Sequence, residues 1–530
     1  MIRVAAAAGL IFFVMLCLAC ANRLNPTGGP RDEEPPQIIA ESSTQNFQTN
    51  FESKEITLTM NEWVELDDPI NQVLVSPPLD QRPDIRLKGK TVVFNFHEDE
   101  VLRERATYTI NFGEAIKDLT EGNPLANFSF VFSTGDFIDS LIVTGHIADA
   151  FSGEPMEDAT IMMYDNLGDS AVYKEKPYYA SRSSKDGTWQ IQNVKEDTFR
   201  VIAVMDDNLN YRYDPGESIA FLDSLLLVMA DTTFDLHFSM STPLEEIFRD
   251  RLDTSGWNKA VLTYNRQPHE IEINTASSID SIYWERRDLL LEFWYVPNNA
   301  QRHILYLTNP VLQEIDTIAL ITDDMSEADP LAKQSKLTNS GHPDDPYFLC
   351  FNRPLSLLDS NKIDLRTTSG TEEIMAIYEI DSIRTCLQIR ARWQADSSYT
   401  VTFLPEALFD LAGVSNDTIR ETFPIGGEDR FGNIELMASG FDSNVAYIIE
   451  LIQGNTVERT IFVDAKSEFE ISLTKLRPGT FSLRTIEDIN QNRRWDPADF
   501  ENLRQPERVV TQQIEPLRAN WDVEVIFEWK

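Results

Sequence analysis

The chain has 530 residues, of which 86 are Asp or Glu and 46 are Lys or Arg, so its formal net charge is −40. Such a polyanion gains nothing from counterion release, which argues against nucleic-acid binding, and it is not attracted to an anionic bilayer by charge. Six histidines leave few general bases or transition-metal ligands. The composition is that of folded domains, and the length predicts about four or five of them, favouring a multidomain binding or scaffold protein over an enzyme.

Residues 1–19 predict a secretory signal peptide. Arg3 precedes the apolar run Val4–Ala19, which is shorter than the ~20 residues of a membrane-spanning helix. Residues 20–34 are rich in Pro, Gly and charge, and they predict a flexible tether.

The junction Ala19-Cys20 resembles a bacterial lipobox. The resemblance implies that the Cys20 thiol receives a diacylglyceryl group and that Cys20 becomes an acylated, palmitate-bearing first residue. Two or three acyl chains suffice for stable anchoring. The expected location is therefore the outer membrane, lipid-anchored, with the surface and periplasmic faces both open. The alternative is an ordinary signal peptide with an incidental cysteine.

Short runs that alternate apolar and polar residues recur along the rest of the chain and predict half-buried strands. They include Ile56–Met60, Thr91–Phe96, Tyr108–Phe112 and Phe128–Phe132. Only a few short stretches, such as Pro243–Leu252, have a pattern compatible with a helix. The predicted fold class is all-β, with tandem β-sandwich domains in series.

One kind of unit occurs twice, which is a strong indication of domain organisation. Tyr108–Phe112 is followed by Asp118-Leu119, and Tyr399–Phe403 is followed by Asp410-Leu411. The pattern resembles the bacterial Ig-like domain of S-layer proteins, in which the Asp-Leu segment forms a turn before the last strand. The predicted Ig-like domains span residues 35–136 and 330–426.

A second kind of unit is also duplicated. Asp186–Ile191 and Thr198–Val201 are echoed by Glu468–Ile471 and Pro478–Leu483. The pattern resembles the transthyretin-like, carboxypeptidase-regulatory type of sandwich and predicts such domains at residues 138–240 and 429–530. Residues 247–328 predict a further β-domain of uncertain type.

The whole layout resembles the Ig-like-domain outer-membrane lipoproteins of the Bacteroidota. The residues that carry the resemblance are Cys20-Ala21, Pro26–Pro30, Phe112–Asp118 and Arg518–Asp522. It implies an outer-membrane lipoprotein and supplies no defined chemistry.

Two acidic loops have the oxygen spacing of a calcium loop, with side-chain oxygens at positions 1, 3, 5, 9 and 12. These residues are Asp206, Asn208, Asn210, Asp214 and Glu217 in the first loop, and Asp488, Asn490, Asn492, Asp496 and Asp499 in the second. Position 6, usually Gly, is Tyr211 or Arg493, and a strand rather than a helix precedes each loop. Two interpretations therefore stay open, a structural Ca²⁺ site and a metal-free loop in which Asp and Asn cap their own backbone. Tyr213 and Trp495 are predicted to be core anchors.

Cys350 and Cys386 lie in predicted strands of an exported protein, so either a cross-strand disulfide or two buried thiols is expected. Neither a zinc spacing of Cys and His nor a familiar hydrolase motif occurs in the sequence. We therefore nominate no catalytic residue, and no cofactor besides Ca²⁺.

These observations predict a non-enzymatic outer-membrane lipoprotein that acts as a multidomain interaction scaffold. The expected partner is an integral outer-membrane complex for barrel assembly, secretion or import, of which this chain would be an accessory subunit. The alternative is a glycan-binding or adhesive surface protein. A third class, a hydrolase with an unrecognised site, would need a deep pocket holding a carboxylate of raised pKa.

Overall fold

The structure is a computed structural model, and it describes residues 32–126, 128–230, 232, 234–275, 282–295, 302–310, 313–323, 328, 330–334, 341–370, 372–381 and 384–530. The predicted signal peptide, Cys20 and most of the predicted tether lie outside the described residues. Within the described ranges, no helix has both the length and the apolar character needed to cross a bilayer.

The chain divides into two compact units, each assembled from several segments. One consists of the described parts of Met1–Ile147, Pro155–Asp214 and Ser224–Phe238; the other consists of Ala148–Glu154, Pro215–Asp223 and the described parts of Ser239–Lys530.

The described residues of 35–136 form a 3₁₀ turn (Ala40–Ser42), eight strands and one short α-helix. These are β1 (Glu55–Thr59), β2 (Val64–Leu66), α1 (Pro69–Gln72), β3 (Leu74–Ser76), β4 (Asp84–Lys88), β5 (Thr91–Asn95), β6 (Thr107–Asn111), β7 (Ile116–Asp118) and β8 (Ser129–Ser133). They pair antiparallel in the orders β1-β5-β4, β2-β7 and β3-β6-β8. Alternate residues turn inward and form an aromatic core, in which the Tyr108 ring stacks on Phe132 with centroids 5.2 Å apart.

The described residues of 138–240 form a second set of strands and one short α-helix. These are β9 (Leu141–Asp149), β10 (Thr160–Tyr164), α2 (Ala171–Lys174), β11 (Tyr179–Arg182), β12 (Thr188–Val194), β13 (Asp197–Val204), β14 (Ile219–Phe221), β15 (Leu226–Val228) and β16 (Phe234–Met240). One sheet has the order β12-β9-β16. In another, β11, β10 and β13 are adjacent and β15 pairs with β13.

The described residues of 247–328 form two sheets around a core of their own. The strands are β17 (Arg249–Asp253), β18 (Lys259–Tyr264), β19 (Glu272–Thr275), β20 (Ile282–Arg287), β21 (Leu290–Tyr295), β22 (Arg302–Asn309) and β23 (Glu314–Ile321), in the orders β17-β18-β21-β20 and β19-β22-β23. The helix considered for Pro243–Leu252 is wrong. Residues 242–248 lack regular structure, and Arg249 begins β17. The pairing of β17 with β18 stabilises a strand here more than the weak helical pattern of the sequence stabilises a helix.

The described residues of 341–426 repeat the topology of the first Ig-like region. The strands are β24 (Tyr347–Cys350), β25 (Leu355–Leu358), β26 (Ile363–Thr367), β27 (Ala376–Ile380), β28 (Cys386–Ala391), β29 (Ser398–Phe403), β30 (Leu408–Asp410) and β31 (Ile419–Pro424). Their orders are β24-β28-β27, β25-β30 and β26-β29-β31. Counted from its own first strand, each region therefore pairs its strands 1-5-4, 2-7 and 3-6-8.

The last region, 429–530, repeats the second. Its strands are β32 (Gly432–Ser439), β33 (Ala446–Gln453), β34 (Thr456–Val463), β35 (Glu468–Leu476), β36 (Phe481–Asp488), β37 (Val509–Gln513) and β38 (Asp522–Glu528). The sheets have the orders β35-β32-β38 and β34-β33-β36-β37, and β32 and β38 are parallel. In both β35-β32-β38 and β12-β9-β16, the first strand of the region lies between its fourth and its last strand.

Candidate functional site

The two acidic loops follow equivalent strands and have the same internal hydrogen bonds. Asp206 comes shortly after β13 and Asp488 ends β36, and both carboxylates are buried. In the first loop, Asp206 Oδ1 accepts from the Asn210 N–H at 3.0 Å and Oδ2 accepts from the Tyr211 N–H at 2.8 Å. In the second, the corresponding donors to Asp488 are the N–H groups of Asn492 (3.0 Å) and Arg493 (2.9 Å).

The Asp at position 9 closes each loop from the other side. The side-chain amides of Asn208 and Asn210 both donate to Asp214 Oδ2 at 2.8 Å. Asn490 and Asn492 make the same bonds to Asp496 Oδ2. Positions 1, 3, 5 and 9 are thus brought together in both loops.

Position 6 forms a sharp turn without glycine. Tyr211 and Arg493 have φ angles of 60° and 63°, in the left-handed region that costs a side-chain-bearing residue roughly 1 kcal/mol. The position-1 carboxylate offsets this cost, because it accepts the N–H of that same residue. Self-capping by Asp therefore replaces the glycine of a calcium loop.

In the second loop, the residue at position 12 does not close the loop. Asp499 accepts from the backbone (3.2 Å) and side-chain amide (2.8 Å) of Asn502, so it caps a local turn. Glu507 lies against the second loop instead, accepting from the N–H groups of Ile489 (2.8 Å) and Asp496 (2.9 Å). Glu217 stands two residues before β14, as Glu507 stands two residues before β37.

Sequence reasoning missed Glu507 because residues 498–506 intervene between the loop and β37. The signal that could have found it is its place ahead of the next strand, which matches that of Glu217. In the first loop, Asp206–Asp214 belong to one compact unit and Glu217 to the other.

Glu507 is the most perturbed carboxyl group near the loops. It is only 2% exposed, and burial raises its pKa to about 7. The two backbone hydrogen bonds oppose this effect, and the charges of Asp496 and Asp488 add to it. Three buried carboxyl groups therefore share one small region.

The hydrogen-bond pattern matches a metal-free loop that caps its own backbone. Both oxygens of Asp206 and Asp488 are occupied by backbone donors, and the Asn oxygens at positions 3 and 5 accept the N–H two residues later. No group of three or more His, Cys, Asp or Glu among the described residues could hold a metal ion. Calcium binding stays an untested prediction.

The aromatic residues beside the loops lie against protein. Tyr213 is buried and packs on Tyr173 with centroids 5.5 Å apart. Trp495 donates its indole N–H to the Glu507 carbonyl at 2.8 Å, and its ring lies 5.0 Å from that of Phe151.

Cys350 and Cys386 are directly opposite in β24 and β28, and the structure joins them in a disulfide across a separation of 36 residues.

The Asp-Leu segments form the turns expected of an Ig-like domain. Asp118 accepts four backbone N–H groups, those of residues 120–123, and these bonds hold its pKa down at about 2. Asp410 accepts two, from Ala412 and Val414, and adds a buried ion pair with Arg353 at 2.6 Å.

Comparison with known proteins agrees with this topology. Residues 32–134 match the family model described as the bacterial Ig-like domain. No curated protein matches the chain.

Several solved structures are distantly similar. The N-terminal part of the bacterial S-layer protein SbsC is 10% identical over 34% of this chain and 44% of its own, with a TM-score of 0.18. The major pilin BcpA of Bacillus cereus is 10% identical over 73% and 98%, with a TM-score of 0.14. A glucan-utilisation protein of Bacteroides ovatus, SGBP-B, is 9% identical over 72% and 94%, with a TM-score of 0.18. These TM-scores are too low to support an argument about function.

The chain is therefore an all-β protein of tandem Ig-like β-sandwich domains, and residues 32–134 match the bacterial Ig-like domain family.

Proposed function

We propose that this protein works by contact and not by catalysis, as a scaffold held at the outer membrane by a lipid on Cys20. The observation that carries the proposal is the duplicated architecture, two sandwich topologies that each occur twice, with self-capped turns at equivalent positions. Serial sandwiches present long edges and loop clusters that suit binding of other proteins.

Contacts inside the larger unit support a rigid scaffold. The loop after Trp495 reaches segments more than 250 residues earlier in the chain. The Ala498 N–H donates to Ser241 Oγ at 2.8 Å, Gln505 Nε2 donates to the Phe221 carbonyl at 2.9 Å, and the Phe500 and Phe221 rings are 5.1 Å apart. Contacts of this kind, which combine hydrogen bonds with aromatic packing, hold the segments of a binding surface in fixed positions relative to each other.

The proposed anchor is the acylated Cys20, followed by the tether of residues 20–34. A chain of this length reaches up to about 50 Å when extended, so the folded body can stand away from the bilayer. The net charge of −40 favours this distance, since it opposes close approach to anionic lipids.

The finer proposal is that the partner is an integral outer-membrane complex. The test is affinity purification of the acylated protein from gently solubilised membranes, followed by quantitative mass spectrometry. We expect one integral outer-membrane protein in stoichiometric amount, and its absence would refute the proposal.

A matched pair of cysteine variants tests the anchor. Cys20→Ser should move the protein to the soluble fraction and remove its acyl chains, whereas Cys17→Ser should leave it acylated and in the membrane. Retention of the Cys20→Ser protein in the membrane after a salt wash would contradict the lipid anchor.

The second candidate function is glycan binding or adhesion. Exposed Trp63, Trp284 and Trp521 lie in three different sandwich regions of the chain. A glycan array with the mature protein tests this candidate, and a saturable signal lost on Trp284→Ala or Trp521→Ala would support it.

A further inference from the structure

A groove of about 640 Å³ lies within the smaller unit, between the segment 69–85 of the first Ig-like region and the loop 208–212. This is the volume of a site for a drug-sized ligand or a few residues of peptide. We refer to it as the 69–85/208–212 groove.

Apolar side chains form much of its wall. Ile70 is 67% exposed although it is large and aliphatic, and Val73, Ile85 and Leu209 also line the groove. An accessible apolar surface of this kind is typical of an interaction site.

The groove also concentrates positive charge. Arg82, Lys176, Arg182 and Arg212 line it, against the acidic residues Asp80 and Asp84. Asp84 has its own partner outside the lining, Arg86 at 3.5 Å. The chain as a whole has 40 more acidic than basic residues, so an excess of basic residues at one site is the reverse of its overall charge balance.

The four cations are not neutralised by ion pairs. Lys176 Nζ donates to the Leu79 carbonyl at 2.6 Å, and Arg182 Nη1 donates to the Asn71 carbonyl. Arg212 Nε is buried and has no hydrogen-bond partner. Within the described ranges, no carboxylate oxygen lies within 4.0 Å of any of the four cationic groups.

The acidic loop shapes one wall of the groove. Leu209 and Tyr211 have φ angles of 56° and 60°, in the left-handed region, and both line the groove. Burial raises the pKa of Tyr211, while the charges of Arg182 and Arg82 act to lower it, so both guanidinium groups act on this hydroxyl.

In the second acidic loop, the arginine at the equivalent position is neutralised by carboxylates. Its position-7 arginine, Arg494, lies 3.5 Å from Glu270 and 3.7 Å from Asp496. The equivalent Arg212 lacks such an ion pair, so its charge is available to a ligand.

We propose that the 69–85/208–212 groove binds an extended acidic peptide segment of a partner protein, with carboxylates on the four cations and apolar side chains on the aliphatic wall. One bordering strand, β4, is exposed and lies at the edge of its sheet, and edge strands accept extended segments. A recessed site in a polyanionic protein excludes a flat anionic bilayer and admits a narrow segment.

The inference deepens the proposed scaffold function, since it names one contact surface and its partner chemistry. The two can fail separately. If the acidic peptide does not bind, the purification from membranes still tests the scaffold proposal. If the purification recovers no partner, binding of the peptide can still be measured.

The experiment is fluorescence anisotropy with the mature chain and a labelled nonapeptide of alternating Asp and Leu. We expect saturable binding that weakens as salt rises, and none to the matched Lys/Leu peptide. Arg82→Glu and Arg212→Glu should each weaken binding at least about tenfold. Arg212→Lys should retain most of it.

The matched control is Arg493→Glu, which makes the same charge change in the second acidic loop and should leave the affinity unchanged. Melting curves of all variants establish that they fold. Absence of binding to the acidic peptide, or equal affinity for the Arg82→Glu, Arg212→Glu and Arg493→Glu proteins, would overturn the proposal. So would binding of phosphatidylglycerol vesicles that depends on Arg82 and Arg212, because the ligand would then be lipid.

Discussion

At the scale of residues, buried carboxylates organise the turns of this protein. Asp118 and Asp410 occupy the same place in the two Ig-like regions and are almost completely buried. Asp118 is satisfied by backbone N–H groups alone, and Asp410 partly by Arg353. The same turn is therefore stabilised by backbone hydrogen bonds in one copy and by an added ion pair in the other.

Replacement of Asp118 by Asn should loosen its turn in a pH-dependent way. The pKa of Asp118 is about 2 in the folded state and 3.8 in the unfolded state, so its charge contributes stability above about pH 4 that is lost as the pH falls through about 2. We expect faster amide exchange at residues 120–123 in Asp118→Asn at pH 6, and a smaller difference from wild type near pH 3. Asp67→Asn, which removes an exposed carboxylate that pairs with Lys117 beside this turn, is the control and should leave this exchange unchanged.

Glu507 should make stability depend on pH in the opposite direction. Its folded pKa of about 7 lies above the unfolded value of 4.5, so its favourable contribution is complete below about pH 4.5 and lost as the pH rises through 7. The loss is on the order of 1–2 kcal/mol after allowance for solvent screening.

Glu507→Gln tests this dependence by calorimetry of the full chain between pH 5 and pH 8. Because Gln cannot accept both backbone N–H groups, the variant should be less stable at pH 5, and the difference should shrink towards pH 8. Glu501→Gln, on the exposed part of the same loop, is the control. A difference that stays constant across this range would show that Glu507 does not titrate there.

At the scale of elements, the acidic loops act as rigid connections between strands. Their carboxylates are already bound by backbone and amide donors, so removal of metal ions should change little. We expect the melting temperature to be the same within about 1 °C with EDTA and with millimolar Ca²⁺. A fall with EDTA that Ca²⁺ reverses, and that Asp214→Ala abolishes, would establish the calcium site instead.

The disulfide between β24 and β28 should stabilise the second Ig-like region. It closes a loop of 36 residues, for which the usual contribution is about 2–4 kcal/mol. The double variant Cys350→Ser/Cys386→Ser should therefore unfold at lower urea concentration than the oxidised protein. Reduction with dithiothreitol should reproduce the effect in wild type and have none in the double variant.

At the scale of the whole molecule, contacts between distant segments hold the larger unit together. Phe500 is buried against Phe221, and Gln505 donates to the same residue's carbonyl. The pairing of the last sandwich with residues 215–223 is a tertiary feature that a linear succession of domains would not contain.

Phe500→Ala should release this contact without unfolding the sandwiches. The loss of a buried ring costs roughly 3 kcal/mol. We expect faster amide exchange in residues 215–223 and 498–505, with little change in β32–β38, measured by mass spectrometry. Phe248→Ala, an exposed phenylalanine of the same unit, is the control, and equal exchange in the two variants would contradict a role for Phe500 in the contact.

Local chemistry alone determined much of this protein. Alternation of apolar residues predicted β1, β5, β6 and β8 to within one residue at each end, because a pleated strand with one buried face imposes a period of two. The Asp-Leu turns and the duplicated acidic loops could also be recognised in the sequence. A carboxylate that caps backbone N–H groups binds residues only a few positions away, so the whole motif lies in one short segment.

Tertiary structure decided the rest. That Glu507 rather than Asp499 lies against the second loop, that Phe500 meets Phe221, and that Arg82 and Arg212 line one groove all depend on segments far apart in sequence. Periodicity and spacing describe only which face of an element is buried. Which distant segment covers that face is settled by packing and burial of charge in the folded chain.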